Sequence, residues 1–420
     1  MRIGIFILFI FCLEVNAQSI LQKGRKHVNT LAADNMFGRG YVHNGYHEAA
    51  IYLCKEFKKL GLSAGDGYLQ EFTYPVNTFP DSVAVYLDNM KLKTGADFIV
   101  HEASGSDSGI FIPHYFSVND LFLKLEPVFQ PNEIVVVDPL PAKMHGDSVA
   151  IIQKRLERFN QQVPIIQLVN DKLIWGVALQ AFPHATIQLK SEKFDKTVNR
   201  VKLNIRNKIN PAFHSYNVIA VKKAKRKKYK DYLVITAHLD HLGMMGSGAI
   251  FNGANDNASG VAMLLVLAEY YAHRELKTNI AFIAFGGEEA GLIGSKFFVD
   301  NPRIPLDKIK FLLNLDLMGT GEEGITVVNA TKFVHEFELL KKINADNNYV
   351  KQVKPRGEAA NSDHYWFTKR GVPSFFMYAL GGTTAYHDIY DRPEQLSLTE
   401  FEDLYKMIIA FFEQIQLTKK

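Results

Sequence analysis

Apolar and polar residues alternate at helical spacing over residues 44–60, with apolar Ala49, Ile51, Tyr52, Phe57 and Leu60, and Gly61 supplies a stop. A strand is expected next, over residues 68–74. From about Asp81 to Leu203 the pattern shifts to short β-type runs at 83–87, 98–100, 133–137, 163–168 and 185–189, with one helical stretch at 148–159. None of these pieces gathers polar residues, so 81–203 reads as a β-rich module inserted into a larger unit. From Tyr216 onward strands and helices alternate: 233–236, a helix over 258–274 spaced on Val261, Leu264, Leu265, Ala268 and Tyr271, then strands at 279–285 and 311–315. That alternation predicts an α/β fold with a mostly parallel central sheet flanked by helices.

The ends of these apolar segments carry the chemistry. His238, Asp256, Glu289, Asp316 and His387 each follow a strand or strand-like run, where open α/β sheets bind ligands. Imidazoles and carboxylates are what zinc takes, and a pair of zinc ions needs in addition one bridging ligand and a free base. His238-Leu239-Asp240 places a carboxylate two residues from the imidazole, on the same side in extended backbone, where Asp240 can orient the ring or its loop. Alone, that triplet is more often structural. Asn252 to Gly260 is rich in helix-capping residues and serves as a helix start. One cap does not need so many polar and small residues, however, and Asp256 in a glycine-lined loop is placed to bridge two cations. Glu288 and Glu289 are adjacent acids, either the first turn of a helix or a base beside a metal ligand. Asp316 ends an apolar strand, where an unpaired carboxylate costs several kcal/mol. Asp391 follows His387 by four residues and is a candidate supporting partner for it.

Composition adds limits. With 420 residues, 47% hydrophobic and 22% charged, the chain has room for one large domain and a smaller one. The net charge of +4 comes largely from Lys222, Lys223, Lys225, Arg226, Lys227, Lys228 and Lys230. This run reads as a solvated loop between two strands, since no interleaved aromatics accompany it, and no nucleic-acid partner is expected. Arg2, the apolar run 3–13 and Val15-Asn16-Ala17 predict a signal peptide over 1–17 and an exported, periplasmic or extracellular protein. That run falls short of the ~20 residues that cross a bilayer, so no stable membrane span is expected. Cys12 lies in the leader, without the small preceding residues that lipid attachment requires; Cys54 is then the single thiol of the mature chain.

Taken in order, His238-Leu239-Asp240, the loop 255–260, Gly287-Glu288-Glu289, Asn314-Leu315-Asp316, Ser362-Asp363-His364 and Tyr386-His387 closely resemble the motifs of the co-catalytic zinc exopeptidase family. That family includes bacterial leucyl aminopeptidases, glutamate carboxypeptidases and glutaminyl cyclases. The likeness covers about 44–74 and 216–417 and implies a zinc peptidase domain made of 18–80 and 204–420. It implies two zinc ions, one held by His238 and Asp316, the other by Glu289 and His387, with Asp256 bridging and Glu288 matching the general base. The activity implied is removal of N-terminal residues from peptides with a free N-terminus. The segment 81–203 loosely resembles the protease-associated module of such enzymes. Trp366, Phe367, Met377 and Tyr378 flank the motifs, either as core or as pocket lining. Three rivals stay open: a carboxypeptidase, for which Arg356 or Arg392 would meet the terminal carboxylate; a glutaminyl cyclase, which uses a single zinc; and a metal-free, receptor-like binding protein, which predicts broken ligands.

Overall fold

A computed structural model of the chain describes residues 19–123, 127–141, 143–226 and 229–417. The expected signal peptide over 1–17 lies outside the described residues, as do Lys227 and Lys228. Among the described residues no helix is long and apolar enough to cross a membrane.

The main sheet has eight strands in the order Leu69–Thr78, Lys208–Lys222, Asn279–Phe285, Tyr232–His238, Ile309–Asp316, Ser374–Leu380, Gly324–Val328, Val353–Pro355. The central strands, from Asn279–Phe285 to Ser374–Leu380, run parallel; Lys208–Lys222 and Gly324–Val328 flank them antiparallel, Leu69–Thr78 pairs antiparallel with the first and Val353–Pro355 parallel with the second. This is the expected mostly parallel α/β arrangement. Parallel strands covered on both faces have no polar side to present. Accordingly Asn279–Phe285 is buried at every position and Tyr232–His238 at every position after the first.

The helix spaced on Val261, Leu264, Leu265, Ala268 and Tyr271 spans Gly260–Ala272, yet Ala262, Met263, Val266 and Leu267 are buried as well. A single apolar stripe is insufficient because this helix rests on Tyr232–His238 and is overlaid by Ile20–Leu31 and Phe401–Leu417. A helix enclosed on all sides is apolar on all sides. Residues 44–60 fold as the helix Gly45–Lys59, which buries Ala49, Ala50, Leu53 and Phe57.

A second eight-stranded sheet is ordered Met90–Lys91, Ala84–Leu87, Val201–Ile205, Asp107–Phe116, Glu133–Val137, Ile165–Val169, Thr186–Lys190, Phe98–Val100. All of it comes from the chain between the main-sheet strands Leu69–Thr78 and Lys208–Lys222. Asp107–Phe116 is absent from the strands expected from sequence. Phe111 is its one fully buried residue, Ile110 and Ile112 face solvent, and Gly109 and Pro113 interrupt any alternation. Lys208–Lys222 likewise extends well before the apolar run at 216–221, because its first half is largely exposed and pairs with Leu69–Thr78.

Arg39 ties the layers together beneath the carboxyl edge of the main sheet. It is fully buried, and its guanidinium donates to the carbonyls of Leu31 (3.0 Å), Leu239 (2.9 Å), Asn252 (2.8 Å), Gly253 (2.8 Å) and Asp256 (3.3 Å). Arg39→Met keeps most of the apolar stem but strips these carbonyls of their donor. The expected loss is about 3 kcal/mol of unfolding free energy. Urea denaturation of the metal-free protein measures it, and a loss below about 1 kcal/mol would show that water replaces the guanidinium.

Candidate metal centre

His238 and Asp316 close two adjacent parallel strands, Tyr232–His238 and Ile309–Asp316. Glu289 and His387 lie in the loops that follow the parallel strands Asn279–Phe285 and Ser374–Leu380, so these groups meet at one carboxyl edge. Asp256 arrives from the loop before Gly260–Ala272. That loop turns on Gly253, at φ +60°, where a Cβ would stand 2.1 Å from Asp256 O and 2.4 Å from His241 Cδ2. Only glycine fits there. The polar residues of the loop build it from within: Asn257 Oδ1 accepts from Gly260 N–H at 2.9 Å, and Ser259 Oγ donates to Asn255 O at 2.7 Å. Beneath the site, Thr236 Oγ1 bonds Asn314 Oδ1, and Asn314 Nδ2 donates to Ser362 Oγ.

All five candidate ligands come together. His238 Nε2 stands 3.2 Å from Asp256 Oδ1 and 3.5 Å from Asp316 Oδ1. His387 Nε2 stands 3.0 Å from Asp256 Oδ2 and 3.2 Å from Glu289 Oε2. Asp256 thus faces one imidazole with each oxygen. The other nitrogen of each ring is committed: His238 Nδ1 lies 3.0 Å from Asp240 O and His387 Nδ1 lies 3.0 Å from Trp175 O. A carbonyl only accepts, so both Nδ1 atoms carry a proton and both Nε2 atoms turn to the carboxylate oxygens. Imidazoles and carboxylates gathered in a buried site need positive charge between them, either a proton on each Nε2 or a metal ion. These separations lie at or slightly below the roughly 3.3–3.6 Å between ligands held at about 2.0–2.2 Å from a tetrahedral ion.

The electrostatics agree. Burial alone would depress the His387 imidazolium, but Glu289 and Asp256 outweigh it and push the ring up to about 11. For His238, burial is likewise overcome, chiefly by Glu288 and Asp316, and the ring rises well above its ordinary value. Burial and Asp256 push the Glu289 carboxyl up, yet His387 and hydrogen bonds from His241 and His387 bring it down to about 2. Asp316 is raised to about 6 by burial, against His238. Glu288 is driven well above the carboxylate range by burial and by the acids Asp363, Glu289 and Asp316, with His238 opposing. The pocket therefore attracts positive charge strongly, and its surroundings favour the protonated form of Glu288.

The helix-turn alternative for Glu288 and Glu289 does not apply, because the next helix, Ile293–Asp300, begins after them. Their backbone is pinned instead by Asp240, whose Oδ1 accepts from Glu288 N–H (3.1 Å) and Oδ2 from Glu289 N–H (3.2 Å). Asp240 orients His238 through its main-chain carbonyl; its carboxylate is 4.0 Å from Nδ1. Asp391 does not support His387 as the spacing suggested. Its two oxygens accept from Asn255 N–H (2.8 Å) and Asp256 N–H (2.9 Å), so it holds the bridging loop, while Trp175 O takes the His387 proton. Asp391→Ala removes both acceptors, and zinc affinity measured by chelator competition is expected to fall about 10- to 100-fold; unchanged affinity would mean the loop holds itself.

One residue escaped the sequence reading. His241 is fully buried and its Nδ1 stands 2.9 Å from Glu289 Oε1, so it donates to that carboxylate and turns Oε2 toward His387. The ligating atoms of His241, Asp256 and Glu289 form one compact group, those of His238, Asp256 and Asp316 another. The signal was available as a third titratable group in the run 238–241. Tyr386 stacks on the His387 ring at 4.0 Å and remains 44% exposed, which makes it the aromatic face open to solvent at the site. Phe367 and Met377 are core.

Residues 217–412 match the model of peptidase family M28. Aminopeptidase YwaD of Bacillus subtilis (strain 168) is 30% identical over 221 residues, 49% of this chain and 46% of that protein. Leupeptin-inactivating enzyme 1 of Streptomyces exfoliatus is 34% identical over 136 residues, 32% of this chain and 30% of that protein. The chain thus spans half or less of the length of these curated relatives. Among solved structures, BSAP, a zinc aminopeptidase from Bacillus subtilis, superposes with a TM-score of 0.71 at 17% identity over 94% of both chains. An aminopeptidase from Aneurinibacillus sp. strain AM-1 gives 0.64 at 20% identity, over 94% of this chain and 93% of that one. At such identities the likeness is one of fold.

Proposed function

We propose that the chain, whose residues 217–412 match the model of peptidase family M28, is a zinc-dependent aminopeptidase that removes N-terminal residues from peptides with a free N-terminus. The observation that carries this reading is the pair of Nδ1-protonated imidazoles, His238 and His387, whose Nε2 atoms face the two oxygens of Asp256. His238 and Asp316 would hold one zinc, Glu289 and His387 the other, with Asp256 shared. When bound, paired zinc ions polarise the scissile carbonyl and lower the pKa of a shared water from about 15.7 toward 7. Glu288 takes the proton of the attacking water and passes it to the leaving amine. Asp240 fixes the backbone of that base, His241 turns Glu289, and Asp391 steadies Asp256. The segment 81–203 acts as an inserted module beside the site.

The carboxypeptidase reading has weak support from the cations available. Arg392 pairs with Asp34 (3.1 Å) and Glu394 (3.6 Å), and Arg356 donates to the Tyr378 hydroxyl at 3.2 Å. A single-zinc cyclase leaves one half of the ligand set without purpose.

The test is mass spectrometry of zinc-loaded protein incubated with an unblocked Gln-leading peptide, its Leu-leading counterpart and their N-acetylated forms. Loss of the first residue from the unblocked peptides alone is expected. Loss of the last residue, loss of ammonia from the Gln peptide, or no change would instead indicate a carboxypeptidase, a cyclase or a binding protein.

A further inference from the structure

The two histidines at the centre are held differently. His238 gives its Nδ1 proton to Asp240 O, two residues along its own loop. His387 gives its proton to Trp175 O, 212 residues away, in the loop that joins the second-sheet strands Ile165–Val169 and Thr186–Lys190. The bond is reciprocated, since Trp175 N–H donates to His387 O at 3.0 Å. Three residues before Trp175, Lys172 Nζ stands 2.8 Å from Asp388 Oδ2 and donates to Thr384 O at 2.6 Å, so it clasps the His387 loop on both sides of the ligand. The Asp388 side chain is 7% exposed and that of Lys172 35%, so the carboxylate is shielded while the ammonium sits at the surface.

Packing reinforces the contact. The Trp175 ring lies 4.6 Å from Phe251 and 6.4 Å from Phe79, and Ile389 packs into the apolar cluster of the second sheet. His387 itself has φ +52°, a left-handed conformation that costs a non-glycine residue about 1 kcal/mol or more and persists where its surroundings impose it. Here the imposing contacts come from the loop between two second-sheet strands. The Glu289–His387 half of the centre is therefore completed by a segment outside the main sheet, whereas the His238–Asp316 half is built within it.

We propose that the Lys172–Trp175 loop is the positioning element of the Glu289–His387 metal subsite, so that docking of the inserted segment and filling of that subsite are coupled. The inference rests on the paired-zinc reading above. Lys172 touches no ligand atom and acts through Asp388 and Thr384; Trp175 acts through its carbonyl, which fixes the tautomer of His387. Coupling of this kind is reciprocal: whatever the loop contributes to zinc affinity, zinc returns to the loop as order.

The test uses the full-length protein, with zinc affinity read by chelator competition and amide hydrogen exchange followed at Trp175 and at residues 383–391. Wild type is expected to show two zinc-binding steps, and zinc is expected to slow exchange at the Trp175 amide. Lys172→Met should weaken one step about 10- to 100-fold and leave the other in place, the usual cost of losing a supporting partner of a ligand. Lys172→Arg should recover most of that loss, which a role in bulk folding alone would not predict. Two unchanged steps in Lys172→Met, or a Trp175 amide whose exchange ignores zinc in wild type, would overturn the coupling while leaving the paired-zinc reading intact. Fewer than two zinc ions on wild type would overturn both.

Discussion

Glu288→Gln is expected to keep both zinc ions and to lower kcat about 10²- to 10⁴-fold, the range of a positioned general acid–base group. Glutamine preserves the size of the side chain and the backbone bonds from Glu288 and Glu289 to Asp240, so the loop should not move. What disappears is an acid that burial and its neighbours Asp363, Glu289 and Asp316 make eager for a proton. KM should change little, because Glu288 is assigned to the proton and not to the substrate's grip. A Glu288→Gln enzyme that turns over at the wild-type rate would remove the base assignment; one that has lost zinc would move Glu288 into the ligand set.

Asp256→Ala should do the opposite and lose metal first. Each Asp256 oxygen faces a different imidazole, Oδ1 toward His238 and Oδ2 toward His387, so one truncation strips a ligand from both halves of the centre. Zinc affinity should fall by well over the roughly 100-fold that removal of a mere supporting residue costs, and activity should vanish with it. The fold should survive, since Arg39 and Asp391 hold this loop through its backbone. Metal analysis after dialysis decides the matter. Two zinc ions retained by Asp256→Ala would show that the bridge lies elsewhere.

The parallel core was legible because burial on both faces leaves an unambiguous apolar run, as in Asn279–Phe285. The strand Asp107–Phe116 was not, because a strand lying in a sheet with its side chains mostly exposed leaves no alternation to read. At the site, the residues brought together are those at strand ends, where a polar group after an apolar run is conspicuous. Their partners were harder. Asp391 sits four residues from His387 in sequence, yet its oxygens serve the backbone of Asn255 and Asp256, an encounter that only the folded loops create. Trp175 lies in a loop between two strands of the other sheet and acts through a main-chain carbonyl, which has no signature in a side-chain pattern. His241 was within sight, but its role follows from a 2.9 Å contact with Glu289 that spacing does not encode.

The central claim is that Asp256 sits between two cations. An anomalous-difference map at the zinc absorption edge, from crystals of the zinc-loaded protein, addresses it most directly. The account predicts two peaks, one against His238 and Asp316 and the other against Glu289 and His387, both touching Asp256. A single peak, or none among these residues, would contradict it.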